Sequence, residues 1–379
     1  QLALDATLVG LVALAILAVV YRLWDADLRV PFVYLEPNRS PLTYAPDAPF
    51  YLMLAKGAID HGWFLNNPSL GFPFGQALHE FPQGLDNLNL LVLQVIGWVT
   101  GDPFLTVNLF FLTTFVGVAA AAYLVARRLG CSRVAGAVVA LLFTFLPYHF
   151  TRGTAHVLLS AYWLVPVIAL LLVQVVSSRP PFTETVEEAA GGARGWRISL
   201  RTRSSVLWLL ACAGIASTGS YYAALAMTLL LVVVAVDFVA RRDRRTLASA
   251  GLALAAILVV AVVNLVPTFV YWAEHGRNPD LVQRGPSETE VNGLKISQLV
   301  LPVEGHRIGA LAEIQDDSTR FSVIDAERGQ QLGAIGAVGF IAMIVVLLAS
   351  GLGRRAPGPA RAPPPVGWDA PKPPRAAVR

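Results

Sequence analysis

The sequence predicts an all-α polytopic membrane protein, and three observations carry that prediction. Of its 379 residues 55% are hydrophobic and 14% charged, with a mean hydropathy of +0.58, whereas soluble domains carry about 25% charged residues. Apolar runs long enough, or nearly long enough, to cross a bilayer as helices recur eight times along the chain. Arginines gather in every second connection between those runs.

Taken in order, the eight runs are roughly 4–24, 104–126, 134–150, 154–177, 204–219, 221–240, 246–272 and 331–352. The fifth is short. A ninth stretch, "NLNLLVLQVIGWVTG" at 87–101, is half a span and reads as an interfacial or re-entrant helix. The chain opens on Gln1 with an apolar run almost at once, as a chain missing its start would. Residues 353–379, rich in Pro, Ala and Arg, predict a disordered cytoplasmic tail after a membrane module over 1–352. Cys131 and Cys212 are too few for a disulfide scaffold or a cysteine zinc site. The sequence pI of about 9.2 reflects arginines at span ends and in the tail, so no nucleic-acid partner is expected.

Arginine placement sets the expected orientation. Arg127, Arg128 and Arg133 lie between the second and third spans, and Arg179, Arg194, Arg197, Arg201 and Arg203 between the fourth and fifth. Arg241, Arg242, Arg244 and Arg245 lie between the sixth and seventh, and Arg354 and Arg355 follow the eighth. An even number of spans puts all four basic segments on one face, which the positive-inside rule makes cytoplasmic. The large segments 25–103 and 273–330 then meet on the outer face.

Asp47 followed by Pro49 reads as a helix start, an N-cap oxygen and then Pro in the first turn. Phe50, Met53, Leu54 and Ala58 recur at three- and four-residue spacing, so the segment predicts an amphipathic helix at the membrane boundary. "HGWFLNNPSLGFPFG" then turns through Gly and Pro, with Trp63, Phe64, Phe72 and Phe74 at interfacial depth. Asp47, Asp60, His61, Glu80 and Asp86 put five ionisable groups in this one loop. The plain alternative makes Asp47 a cap and the rest an anchor. Ionisable groups beside a membrane more often serve function.

A second cluster, "FLPYHFTRGTAHVLLSAYW", holds His149, Arg152 and His156 with Tyr148 and Tyr162. An arginine and two imidazoles suit a phosphate through charge-assisted hydrogen bonds, and a helix start near Thr154 would add its free N–H groups. Against this, Arg152 can snorkel to lipid headgroups and the histidines can cap helix ends. A metal held by His149, His156 and Asp47 is the weaker alternative. In "GSYYA", Tyr221 and Tyr222 are either belt residues or a surface for a sugar ring. The last outer loop mixes Arg277, Arg284, Lys295, His306 and Arg307 with Glu288, Glu290 and Glu304, and its "LKISQLVLP" reads as a further interfacial helix. At nearly sixty residues it is long for a connector and reads as functional or folded.

With "TYAPDAPFYLMLAKGAIDHGW", "LGFPFG", "LPYHFTRGTAH" and "GLKISQLVLP…HRI" in view, the chain resembles the GT-C superfamily of membrane glycosyltransferases, in particular bacterial members of the YfhO kind. The resemblance spans roughly residues 4–352. It implies a first span followed by a large extracytoplasmic loop with juxtamembrane helices, in a bacterial plasma (inner) membrane with the active face outside. It further implies transfer of a sugar from a polyprenyl-phosphate-linked donor to a glycan, lipid or protein acceptor, beside membrane lipids. Asp47 takes the place of the catalytic base. Arg152, with His149 or His156, takes the donor phosphate, and Asp60, His61, Glu80, Asp86, Tyr221, Tyr222, Arg284, His306 and Arg307 surround the substrates. No cofactor is required with certainty, and a divalent cation stays open because the first loop carries no DxD or ExD pair. Two other functions compete: a flippase or transporter of lipid-linked sugars, and a non-catalytic scaffold for envelope assembly. Transporters show interrupted spans and internal repeats, and here Pro166, Asn264 and Pro267 are the only interruptions pointing that way.

Overall fold

The computed structural model describes residues 1–30, 47–80, 82–153, 155–187, 194–280, 285–320 and 329–352. The expected tail and residues 31–46 of the first outer loop lie outside these residues. The described residues are mostly helical, and among them six helices are long and apolar enough to cross a membrane. The first is α1 (Leu2–Val20). A polar segment follows with α2 (Ala48–His61), a hairpin of β1 (Asn66–Asn67) and β2 (Gln76–Ala77), and α3 (Asn87–Thr100). Gly101, at φ 64, takes the left-handed conformation that closes α3 tightly onto α4 (Pro103–Arg128), which Asp102 caps by accepting from Leu105 N at 2.7 Å.

Next come α5 (Arg133–Thr144), α6 (Pro147–Arg152), α7 (Val157–Ser160) and α8 (Val165–Val175). Gly153, at φ 47, stops α6, and the fourth apolar run is itself broken: α7 ends at Ser160, and Pro166 opens α8 as a separate element. An antiparallel ribbon of β3 (Thr183–Glu187) and β4 (Arg194–Ile198) follows, in a stretch read from sequence as a basic loop, so the chain is not purely α-helical. The bundle resumes with α9 (Arg203–Ala216), α10 (Ser220–Arg241) and α11 (Arg244–Asn264). The seventh run ends early, at Asn264. Pro267 lacks the N–H that would continue the ladder and clashes with the carbonyl four residues back, so α12 (Val266–His275) begins as a new helix. The remaining helices are α13 (Pro286–Asn292), α14 (Gly309–Arg320) and α15 (Gly333–Leu352). Instead of the expected interfacial helix, "LKISQLVLP" forms one 3-10 turn, Ile296–Leu299.

Contacts fix how the helices run. Asp5 near the start of α1 meets Arg133 at 3.2 Å and Tyr123 at 3.4 Å, and Tyr21 beyond its far end meets the Phe111 ring at 6.2 Å. Helix α1 therefore runs antiparallel to α4. Small residues let the two approach: a Cβ on Gly10 would lie 3.0 Å from Val116. Helix α8 runs parallel to α4, because Trp163 packs on Gly117 while Val125 joins Ile168 and Leu171 in one core cluster. Arg241 then donates to Val176 O at 3.3 Å, and Arg245 to Ser178 O at 3.4 Å. Arg127, Arg133, Arg241 and Arg245 thus share one end of the bundle, the basic end. At 26 residues α4 is about 39 Å long, more than the ~30 Å of a hydrocarbon core. Two buried clusters dominate: one of α8–α11 around Trp208, Cys212 and Ile257, the other joining α1–α4 around Leu93, Phe110, Phe111 and Phe115.

Candidate functional site at the end opposite the arginines

The polar segments meet at the other end. Leu88 N donates to Ser217 O at 2.9 Å and Gly219 N to Leu85 O at 2.9 Å, which fastens the entry to α3 onto the turn between α9 and α10. Asn264 adds a third element: its Oδ1 accepts from Asn87 Nδ2 at 3.0 Å, and its Nδ2 donates to Ala216 O at 3.1 Å and Ser217 Oγ at 2.9 Å. These bonds span up to 177 residues of sequence. They bring the first polar segment to the second half of the bundle.

Tyr51, buried on α2, is the hub of the resulting site. Its phenol lies within the electrostatic reach of Asp86, Asp47, Tyr221 and Arg152, and burial first, then the two carboxylates, push its pKa up. Two carboxylates of the first segment, the arginine of the second cluster and a tyrosine of the third therefore act on one side chain. Asp47 sits at the N-cap position of α2, but its backbone is helical (φ −95, ψ −6) and its carboxylate caps no amide. An N-cap needs extended backbone to fold its oxygen over the first turn. The carboxylate, 56% exposed, turns instead to His156, with Oδ2 3.4 Å from Nδ1. Arg152 ends α6 with its guanidinium 5.2 Å from the Tyr148 ring centre, a cation–π contact. The Tyr148 and Tyr222 hydroxyls stand 3.4 Å apart, and Tyr222 donates to Leu159 O at 2.6 Å.

Asp86 occupies the junction itself. Gly219 packs so close that a Cβ there would lie 3.1 Å from Asp86 Oδ1, and its φ of +124 suits only glycine. Asn89 Nδ2 donates to the carboxylate at 3.2 Å. Burial outweighs that one hydrogen bond and raises the Asp86 pKa to about 7.

Other expected site residues are placed elsewhere. His149 is fully buried, stacked 3.6 Å from the Phe115 ring, with Nε2 at 2.8 Å from Thr114 Oγ1 and Nδ1 at 2.9 Å from Thr144 O and 3.1 Å from the Tyr162 hydroxyl. Both ring nitrogens are committed inside the core, so His149 is withdrawn as a phosphate or metal ligand. Among the described residues no three His, Cys, Asp or Glu side chains gather as a metal site needs. Asp60 pairs with Lys56, and His61 bonds Ser69 Oγ at 2.8 Å. Glu80 clamps two segments, its Oε1 accepting from Trp272 Nε1 at 2.6 Å and Asn278 N at 2.9 Å. His306 accepts from Ile308 N at 3.1 Å, and Arg307 is exposed. Arg284 and Thr154 lie outside the described residues, and the expected helix start near Thr154 is the four-residue α7. Phe72 and Phe74 are 97% and 95% exposed at the tip between β1 and β2. Sequence reasoning passed over Tyr51. The available signal was its place one helical turn beyond Asp47, on the same face.

A family model described as a domain of unknown function, DUF6311, matches residues 88–282, just over half of the chain. The match takes in His149, Arg152, His156, Tyr221 and Tyr222, while Asp47 and Asp86 precede it. No curated protein and no solved structure matches the chain.

Proposed function

The chain belongs to the family of DUF6311 domains, and within it we propose a membrane glycosyltransferase that moves a sugar from a lipid-phosphate-linked donor to an acceptor. The carrying observation is geometric: Asp47 at the start of α2 meets His156 at 3.4 Å, four residues from Arg152, and Asp86 lies against the Gly219 turn that leads into Tyr221. It supplies a carboxylate for an acceptor proton and a fixed cation for a phosphate within one site. The proposed orientation follows the arginines: the basic end faces the cytoplasm of a bacterial cell, and the site faces outward.

Arg152, steadied over Tyr148, offers planar paired donors to the donor phosphate. His156, 3.4 Å from Asp47, is the proposed second donor to that phosphate. Asp47 takes the proton of the acceptor hydroxyl as its oxygen bonds the anomeric carbon. The bond from that carbon to the phosphate oxygen breaks, and the electron pair leaves with the lipid phosphate, whose charge Arg152 stabilises. Tyr221, exposed beside the hub, presents a ring face to the sugar.

Two observations favour second readings. The raised pKa of Asp86 suits a base poised near neutrality, so the proton can pass to Asp86 instead. The break between α11 and α12 has the form of the interrupted helices that transporters use. Sugar transfer in proteoliposomes separates them. Loss of the base costs about 10²- to 10⁴-fold in rate, and Asp47→Asn should show it. Arg152→Lys should weaken donor binding and Arg152→Ala nearly abolish it. Near-parental transfer by Asp47→Asn with collapse in Asp86→Asn moves the base to Asp86. Donor crossing the bilayer unchanged, with no transfer product, replaces the enzyme by a transporter.

A further inference from the structure

The ribbon at the basic end combines exposed apolar side chains with cations. Trp196 and Ile198 are 41% and 52% exposed, and their two-residue spacing within β4 aligns them on one face, while Leu200, just past the end of the strand, is 44% exposed. Thr185 and Thr183, opposite Trp196 and Ile198, share that face, and Arg245 reaches its edge by donating to Thr183 Oγ1 at 2.8 Å. The other face carries Arg197, which donates to Glu184 Oε2 at 3.1 Å. Arg179, Arg201, Arg203, Arg242 and Arg244 stand exposed around the root of the ribbon.

Depth and charge both identify what covers this face. Arg241 bonds Val176 O and Arg245 bonds Ser178 O, so the root is level with the last turn of α10 and the first turn of α11, both long and apolar enough to cross a membrane. That level is the boundary between hydrocarbon and headgroups, where tryptophan and arginine concentrate. Arg203 and Arg244 are the first residues of α9 and α11. A cation there opposes the helix dipole, so helix stability does not account for them, whereas lipid phosphates do.

We propose that the ribbon lies in the headgroup layer of an anionic leaflet, with Trp196, Ile198 and Leu200 turned to the acyl boundary and Arg179, Arg201 and Arg203 on lipid phosphates. The full chain with Cys131→Ser tests this in nanodiscs of phosphatidylcholine with or without phosphatidylglycerol. Nitroxide labels are placed singly at Ile198→Cys, Leu200→Cys and, on the opposite face, Arg197→Cys. With the anionic lipid, labels at 198 and 200 should gain collisions with oxygen and lose collisions with a water-soluble nickel chelate, while the label at 197 keeps the chelate. Removing Arg201 and Arg203 as Gln should weaken that shift about fivefold per arginine. Labels at 198 and 200 open to the chelate in both lipid mixtures would make the face solvated. Labels shielded from both reagents would make it a protein contact. Either outcome overturns the proposal.

Discussion

Asp86 shows how much the surroundings of one carboxyl decide. It faces Gly219 and, among the described residues, receives one side-chain hydrogen bond, from Asn89, and burial raises its pKa to about 7. In the unfolded chain an aspartate titrates near ~3.9, so the folded state keeps its proton over the window between those values. The folded state binds more protons than the unfolded one there, and stability falls as pH rises from about 4 to about 7, then levels. The full difference of about three pH units is worth on the order of 4 kcal/mol. Asp86→Asn removes the titrating group and keeps the shape. Its melting temperature in detergent should exceed the parent's at pH 8, with the gap closing towards pH 4. A gap that stays constant across that range would mean the carboxyl is not desolvated at the junction. From sequence, Asp86 was one of five ionisable groups in a loop, and spacing could not tell it from Asp60, which pairs with Lys56. Arg152, His156 and Asp47 stood out in the sequence because their residue types are rare beside apolar runs, and the fold brings Asp47 to within 3.4 Å of His156. His149 was misjudged for the same reason: an imidazole in an apolar run reads as a ligand, and only the fold reveals the Thr114, Thr144 and Tyr162 partners that keep it in the core.

At the scale of elements, the break at Asn264 is a junction as well as an interruption. Pro267 ends the α11 ladder, and the Asn264 side chain there joins α3 and the end of α9 through Asn87, Ala216 and Ser217. Asn264→Leu keeps similar bulk but leaves the Asn87 amide and the Ala216 carbonyl without this partner. Leaving a buried polar group unsatisfied costs about 1–3 kcal/mol, so the variant should melt several degrees below the parent. Pro267→Ala, which permits the helix to continue, should cost less. Equal melting of Asn264→Leu and parent would make the junction incidental. The half-span that became α3 was read from the sequence, but spans 154–177 and 246–272 were drawn through Pro166 and Pro267, which were noted only as interruptions and prove to separate helices. What the stops join was not readable, because Asn87 and Asn264 are 177 positions apart and nothing in local periodicity couples them. The ribbon of β3 and β4 was missed because its arginines spoke for charge while the alternation of Trp196 and Ile198 is only a few residues long.

For the whole molecule, contacts give the bundle two unlike ends. The arginines of α4, α5, α10 and α11 gather at one, with Asp5 near the start of α1 among them. Asp47, Arg152, His156 and the α9–α10 turn gather at the other. The proposed orientation sends the arginine end to the cytoplasm, because translocating clustered cations is disfavoured and anionic headgroups hold them. Under the proposed function, that orientation would let a donor sugar on an outer-leaflet lipid meet the site without crossing the bilayer. Single cysteines in a Cys131→Ser background decide the matter, with the native Cys212 buried. Ser69 and Thr319 are exposed in the two segments proposed to lie outside, and Ser178 is exposed at the arginine end. In intact cells a membrane-impermeant thiol reagent should label Ser69→Cys and Thr319→Cys and leave Ser178→Cys unlabelled until the membrane is permeabilised. The reverse pattern would turn the protein over in the membrane and place the Asp47–Arg152 site in the cytoplasm. Labelling of Ser69→Cys without Thr319→Cys would put an odd number of crossings between them, and the two polar segments could then no longer share one face.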